Sequence, residues 1–430
     1  MAFKYIDLFA GIGGFHHALS EAGGECVFVS EIDAAAQRVY ELNWGDDIAP
    51  RGGRPLIEGD IIPLTDPEVL HVPDHDVLAA GFPCQPFSKS GFQHGINETR
   101  GTLFFNIAKI LEAKRPRAIV LENVRNLAGP RHAETWATII RTLRDLGYRV
   151  SDTPTVFSPH LLPKSHGGTP QVRDRVFIVG EHVGRERAWA EADSTPTLER
   201  RPLDGWDPQD WNLDRDVLLD ESEVPEKGSH VLSDDEVAWI DVWDDFVTTM
   251  LEVREGVQLP GFPIWADEFV VVPRITASTP AWKANFLRKN SQFYVEHREA
   301  IDAWKARHDG LKWMPASRRK LEWQAQDESS LWSCAMHLRP SGIRAKKTTY
   351  LPALVAITQT SIIGPRRRRI TVREAARLQG LPDSFTFGTQ PDAASFKQLG
   401  NGVSAGVVSY VLRASGILDR LNADSQPQVA

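Results

Sequence analysis

The first ~180 residues alternate short apolar strands with helical stretches, and this alternation restricts the possible folds more than any other feature of the chain. Strand candidates fall at 5–10, 26–30, 77–80, 118–121 and 176–179, with helical stretches at 14–22, 34–43, 101–114 and 133–146. Such a rhythm predicts an α/β fold of Rossmann-like type, a mostly parallel sheet with helices on both faces. Folds of this kind bind ligands at the carboxyl ends of the strands, and those ends here carry glycines and polar residues.

Beyond about residue 184 the pattern fades. All the tryptophans except Trp44 and Trp136 lie between Trp189 and Trp332, and prolines scatter. Charge segregates as well. Acids dominate from about Asp204 to Glu255 and bases from about Lys283 to Lys347, within a chain of net charge −8. This predicts a smaller, irregular domain over 184–363, inserted between a first domain over 1–183 and a return to it over 364–430. In the return segment 371–380 and 403–412 read as helices. A local basic face can bind a phosphate backbone whatever the net charge, although a charge run is more commonly a solvated surface. The run Arg366-Arg367-Arg368-Arg369 is open to the same two readings.

With 430 residues the chain is long enough for two domains. It has no uninterrupted apolar run of membrane-spanning length, and Met1-Ala2-Phe3-Lys4 leads directly into a strand rather than a signal peptide. The three cysteines, Cys26, Cys84 and Cys334, are far apart and lack metal-ligand spacing. A reducing, cytoplasmic setting without a bound metal is expected.

Four segments carry the chemistry. In Asp7-Leu8-Phe9-Ala10-Gly11-Ile12-Gly13-Gly14-Phe15, glycines follow the first strand and precede a helix, where backbone amides can approach a ligand. Glu31 lies 20 residues past Gly11 at the end of the second strand, a spacing suited to ribose hydroxyls. The loop lacks the full G-x-G-x-x-G pattern, which favours a single nucleoside over a dinucleotide. In Gly81-Phe82-Pro83-Cys84-Gln85-Pro86-Phe87-Ser88 two prolines hold Cys84 in an extended loop, a setting that suits a nucleophile better than a packing residue. Glu122-Asn123-Val124 puts a carboxyl at a strand end among apolar neighbours, either as an acid of raised pKa or as a helix cap. Gln171, Arg173 and Arg175 share one face of a strand by period-two alternation. There they either clamp an anion or guard a sheet edge.

Taken together and in this order, these blocks resemble the cytosine-5 DNA methyltransferase family, in particular the bacterial modification methylases. The resemblance covers most of the first ~180 residues and resumes at Thr371, through Arg373–Gly380 and Gln398-Leu399-Gly400-Asn401-Gly402-Val403. It implies a pocket for S-adenosyl-L-methionine at Phe9, Gly11, Gly13, Gly14, Glu31, Ile32, Asp60, Ile61, Pro83, Asn401 and Gly402. Some members carry Ser where Gly402 stands. Catalysis would fall to Cys84 as nucleophile and Glu122 as acid, with Arg175 holding the base and Arg173 ordering the site. Ser88, Gln93, Arg100, Val124 and Gln171 would contact DNA, with a lid over 88–102 and the middle domain as the target-recognition domain.

The substrate implied is a flipped cytosine in a short double-stranded DNA sequence. The resemblance further implies a monomer acting in the cytoplasm, with a cognate restriction endonuclease as genetic partner. A tRNA methyltransferase shares the catalytic blocks, but the large tryptophan-rich insert favours DNA and no Cys-Phe-Thr signature is present. A silent DNA binder would have lost Pro-Cys or Glu-Asn-Val, and both are intact. A Rossmann oxidoreductase gives no role to Cys84 and Glu122.

Overall fold

The computed structural model describes residues 2–49, 56–66, 70–83, 103–192, 198–203, 206–207, 210–354 and 360–423. The chain divides into two compact units, one of Met1–Asp210, Ala353–Ile357 and Ala375–Ala430, the other of Trp211–Pro352 and Thr358–Glu374.

The first unit is built on strands β1 (Lys4–Leu8), β2 (Glu25–Ser30), β3 (Ile57–Glu58), β4 (Val77–Gly81), β5 (Ala118–Val124), β6 (Tyr148–Arg149), β7 (Thr155–Phe157), β8 (Gln171–Val172) and β9 (Arg175–His182). Its main sheet runs β3-β2-β1-β4-β5-β9-β6, with β7 also paired to β9. The first five strands are mutually parallel, whereas β9 is antiparallel to β5. Helices α1 (Gly14–Glu21), α2 (Ala34–Trp44), α3 (Ile61–Leu64), α4 (Leu103–Lys114), α5 (Ala133–Asp145) and α6 (Arg185–Ala190) connect or follow the strands.

Because successive residues of a strand face opposite sides, the continuous apolar runs fill two cores. Ile6, Leu8, Leu78, Ala80, Ile119 and Leu121 join Ile107, Ile110 and Leu111 of α4 and Leu143 of α5 on one side. Tyr5, Val77, Ala79, Ala118 and Val120 join Leu19 of α1 and Val407, Val408 and Val411 on the other.

The parallel α/β core agrees with the sequence reading, and several details differ. β5 continues through Glu122-Asn123-Val124, so the motif is part of the strand instead of following it. Gln171, Arg173 and Arg175 do not share one strand face. β8 ends at Val172 and β9 starts at Arg175, and the intervening break turns the three side chains into different surroundings. Residues 184–210, expected in the second domain, belong to the first unit, with α6 following β9 directly.

The second unit, expected to be irregular, contains regular elements throughout. They are α7 (Leu213–Asp216), α8 (Asp234–Val253), β10 (Ile264–Trp265), α9 (Ala281–Glu296), α10 (Arg298–Arg307), β11 (Lys320–Gln324), β12 (Ala335–Arg339), β13 (Gly342–Lys346), β14 (Leu351–Pro352), β15 (Ile362–Ile363) and β16 (Arg368–Arg369). Strands β10-β11-β13-β12-β15-β16 make a six-stranded sheet. The strands are at most five residues long and mostly follow the helices in sequence, which hides them from a search for strand–helix alternation. Ser233 and Glu236 form a reciprocal capping box that fixes the start of α8. Trp243 and Trp304 are fully buried beside Phe246 and Phe269, so these tryptophans serve as core. Four more helices close the chain: α11 (Val372–Leu378), α12 (Asp392–Asn401), α13 (Ala405–Ala414) and α14 (Ile417–Ala423).

Candidate active site

The strand order reverses between β1 and β4, and parallel α/β sheets open a crevice at such a switch point. A cleft of about 620 Å³ lies there, lined from the carboxyl ends of β1 to β5, the start of β9 and the end of α12. Of the residues singled out in the sequence, Phe9, Gly11, Glu31, Ile32, Asp60, Ile61, Pro83, Glu122, Val124, Arg175 and Asn401 line it.

One side of the cleft is a wall of acids and apolar groups. Glu31 accepts from Gly11 N through Oε2 at 2.7 Å and from Asp33 N through Oε1 at 2.8 Å. These bonds hold the carboxylate at the lip and leave each oxygen a further lone pair to offer. Asp60 caps α3, accepting from Ile62 N at 3.0 Å. Ile32 is 71% exposed and Ile62 56% exposed although both line the cleft, which leaves an apolar surface open to a planar ligand. Phe9 adopts a left-handed backbone (φ 56), uncommon for an aromatic residue and frequent at functional sites.

The glycines of the first loop have separate duties. Gly11 borders the cleft, and a Cβ there would meet nothing within 4 Å. Gly13 and Gly14 do not line the cleft. A Cβ on Gly13 would come within 2.2 Å of Trp44 Nε1, and one on Gly14 within 2.6 Å of the Val403 carbonyl. They are required by close packing of α1 against α2 and the segment before α13. Gly402 is likewise outside the lining. Gln398 and Gly400, named in the sequence only as part of the last motif, line the cleft on the last turns of α12 together with Lys397, which the sequence reading missed.

The other side holds the candidate acid. The β5–β9 register pairs Glu122 with Phe177 and Val124 with Arg175, so Glu122 and Arg175 are diagonal neighbours on one face. Arg175 Nε lies 2.9 Å from Glu122 Oε1. Burial pushes the Glu122 carboxyl above its ordinary range, and the opposing pull of Arg175 and then Arg173 does not cancel that rise. Asn123, buried behind them, donates to the Phe82 carbonyl at 2.7 Å and accepts from Val124 N at 2.8 Å. It thereby ties the end of β5 to the chain just before Pro83. Its place inside the Glu-Asn-Val motif was the signal for this role.

Arg173 is only 1% exposed and does not line the cleft. Its guanidinium donates to the carbonyls of Leu354 at 2.8 Å, Gly400 at 2.9 Å and Gly402 at 2.6 Å. It therefore braces the α12 end of the cleft instead of facing it. Gln171 is fully buried and its side-chain amide has no hydrogen-bond partner among the described residues. Cys84, Ser88, Gln93 and Arg100, with the lid expected over 88–102, lie outside the described residues. Cys26 and Cys334 are both buried with thiols pushed up to about 12 by desolvation, which unsuits either as a nucleophile.

In the second unit the arginine run is not displayed for phosphate. Arg366 pairs with Asp214 at 2.7 Å and Glu221 at 3.2 Å, and Arg369 with Glu236. Arg368 is buried against Glu374 at 2.8 Å, and Arg367 stacks over Trp332 at 3.8 Å. Each arginine of the run thus has a carboxylate of its own unit as partner, Arg367 also reaching Asp241 at 3.5 Å. Arg307 with Asp245, Arg319 with Asp267 and Arg344 with Glu322 are further examples.

A family model for the C-5 cytosine-specific DNA methylases matches residues 3–416. The chain belongs to this family. As a member it is a DNA cytosine-5 methyltransferase. Among curated relatives of this methylase, the Type II methyltransferase M.AluI of Cellulosimicrobium cellulans is 43% identical, over 97% of this chain and 92% of the relative. M.BanI of Aneurinibacillus aneurinilyticus is 30% identical over 96% and 95% of the two chains. M.HhaI of Haemophilus parahaemolyticus is 42% identical, but over only 41% of this methylase and 48% of the relative.

Proposed function

We propose that the cleft of the first unit binds S-adenosyl-L-methionine beside a flipped cytosine, and that Cys84 starts the reaction. The observation that carries this reading is that Glu31, Asp60, Pro83 and the Glu122–Arg175 pair line one cleft. The residues fit the donor. Lone pairs on Glu31 suit ribose hydroxyls, Asp60 suits an exocyclic amine, and Phe9, Ile32 and Pro83 offer apolar surface to a purine ring. S-adenosyl-L-methionine, when bound, supplies an electrophilic methyl group.

Cytosine carbon 5 is a poor nucleophile until a nucleophile adds at carbon 6. Cys84 is the residue for that addition, with Pro83 immediately before it lining the cleft and the other two thiols buried. Glu122, whose carboxyl burial raises above its ordinary range, is the residue to share a proton with ring nitrogen 3, which draws electrons from carbon 6. Arg175 steadies the base and the charge that develops on it. After methylation a base takes the carbon-5 proton and the Cys84 thiolate leaves, restoring the aromatic ring. Because a duplex shields these ring positions, the cytosine is turned out of the stack.

The second unit serves as the target-recognition domain on this reading, acting on double-stranded DNA. The names of the relatives support a modification role beside a cognate restriction endonuclease. We place the enzyme in the cytoplasm as a monomer; among the described residues no helix is long and apolar enough to cross a membrane.

Bisulfite sequencing of DNA from a methylation-free host expressing the protein tests the whole reading. Unconverted cytosines at one short motif are expected, lost in Cys84→Ala while DNA binding survives. Complete conversion with soluble protein present, or full methylation by Cys84→Ala, overturns it.

A further inference from the structure

From Phe269 to Val295 the chain carries no acid and four bases, Arg274, Lys283, Arg288 and Lys289, within a protein of net charge −8. This stretch contains α9, and its helical spacing sorts the residues cleanly. Ala284, Leu287, Ser291 and Tyr294 are buried, while Trp282, Asn285, Arg288, Lys289 and Gln292 are exposed along one stripe.

The cations of this stripe differ from most others in the unit. Arg307, Arg319, Arg344, Arg366 and Arg369 each have a carboxylate partner. Arg288 has none among the described residues, and the Lys289 ammonium lies only over the Phe262 ring at 5.7 Å. The polar and aromatic members are held in place as well. Trp282, 62% exposed, meets Phe286 edge-on at 6.3 Å, and Phe286 in turn meets Trp265 at 5.8 Å. Ser291 donates to the Val271 carbonyl at 3.0 Å, anchoring the preceding segment, with exposed Val272 and Arg274, to the helix.

We propose that the exposed stripe of α9 is the surface of the second unit that contacts duplex DNA. The argument is charge complementarity: cations with no carboxylate partner among the described residues outnumber the one exposed acid of the helix, Glu296 at its end, and suit a polyanion, which releases counterions when it binds. Arg288 and Lys289 flank Asn285 and Gln292. The two cations contact backbone phosphates while Asn285, and Gln292 on release of its bond to Glu296 Oε1 (2.8 Å), face base edges, since a single helix fits the major groove and side-chain amides match adenine there. Trp282 adds a rigid apolar contact at one end. The inference rests on the reading of the second unit as the target-recognition domain.

The test uses the full-length enzyme with a duplex containing its methylated motif. Equilibrium binding is measured from about 50 to 200 mM salt for wild type, an Arg288→Gln/Lys289→Gln double variant and Arg298→Gln, a control on α10. Losing two phosphate contacts should shrink the loss of affinity over that range about tenfold. The control, whose cation already pairs with Asp302, should follow wild type. Asn285→Ala should lower methylation of the motif by about 10- to 100-fold relative to a duplex altered at one base pair. A salt response in the double variant equal to wild type, with Asn285→Ala leaving the motif preference intact, overturns the inference while target recognition by the second unit stands. Wild type that neither binds nor methylates duplex DNA, or that prefers folded RNA, removes the reading beneath it.

Discussion

Arg175 reaches Glu122 across the diagonal of an antiparallel strand pair, Nε to Oε1 at 2.9 Å, inside the cleft of the first unit. The contact opposes burial, which holds the carboxyl above its ordinary range. An acid that must be protonated to act loses activity as pH rises through its pKa. Removing a neighbouring cation raises that pKa, so Arg175→Met should move the alkaline fall of the methyl-transfer rate to higher pH while lowering the maximum. Glu122→Gln should cost about 10²- to 10⁴-fold in rate. Rate–pH profiles of the three proteins decide the matter, and an unmoved alkaline limb in Arg175→Met would separate the pair's geometry from proton donation.

Arg173 acts at a distance from the cleft through the carbonyls of Leu354, Gly400 and Gly402. Hydrogen bonds from a charged donor are worth more than neutral ones, but removing the cation also relieves its own buried charge. Arg173→Met should therefore cost a net ~2–4 kcal/mol. Gly400 and Asn401 line the cleft, so the loosened segment should raise the KM for S-adenosyl-L-methionine more than it lowers kcat. Arg173→Lys, which keeps a cation in reach of at least one carbonyl, should rescue part of both. Denaturant titration and steady-state kinetics provide the readouts, and a kcat defect with unchanged KM would count against a positioning role.

The difference between Arg173 and Arg175 also marks where the sequence was legible and where it was not. β1, β2, β4 and β5 announce themselves as apolar runs ending in glycine or acid, because a strand buried on both faces can be little else. β3 spans two residues and offers no periodicity. α12 begins after Pro391 with Asp392-Ala393-Ala394-Ser395 and contains Gly400, a composition too mixed to read as a helix, so Lys397 went unnoticed. Period-two reasoning assumes an unbroken strand, and the break after Val172 sends Arg173 inward while Arg175 meets the cleft. Gly13 and Gly14 carry the pattern of a ligand loop, yet Trp44 and Val403 are what exclude their side chains. The motif identified the neighbourhood; packing decided which members face it.

Asp7, at the foot of the glycine loop, is fully buried, and its Oδ2 accepts from the Tyr40 hydroxyl at 3.4 Å. The same hydroxyl lies 2.8 Å from His16 Nδ1. Desolvation pushes the Asp7 carboxyl up to about 8 and His16 down to about 3. A carboxyl raised this far binds its proton in the folded state but not in the unfolded one between about pH 4 and 8. Rising pH through that window destabilises the fold by up to about 1.4 kcal/mol per unit. His16 has the opposite sign, its neutral burial costing stability only as pH falls from about 6.5 towards 3. The two effects separate above pH ~6.5. Asp7→Asn keeps the shape and an acceptor for Tyr40 but cannot ionise. Its thermal midpoint should exceed that of wild type by a margin that widens from about pH 6.5 to 8.5 and levels off once wild-type Asp7 is fully ionised. Parallel curves for the two proteins across that range would mean that Asp7 is already ionised in the folded enzyme at pH 6.5, stabilised by interactions stronger than its hydrogen bond to Tyr40.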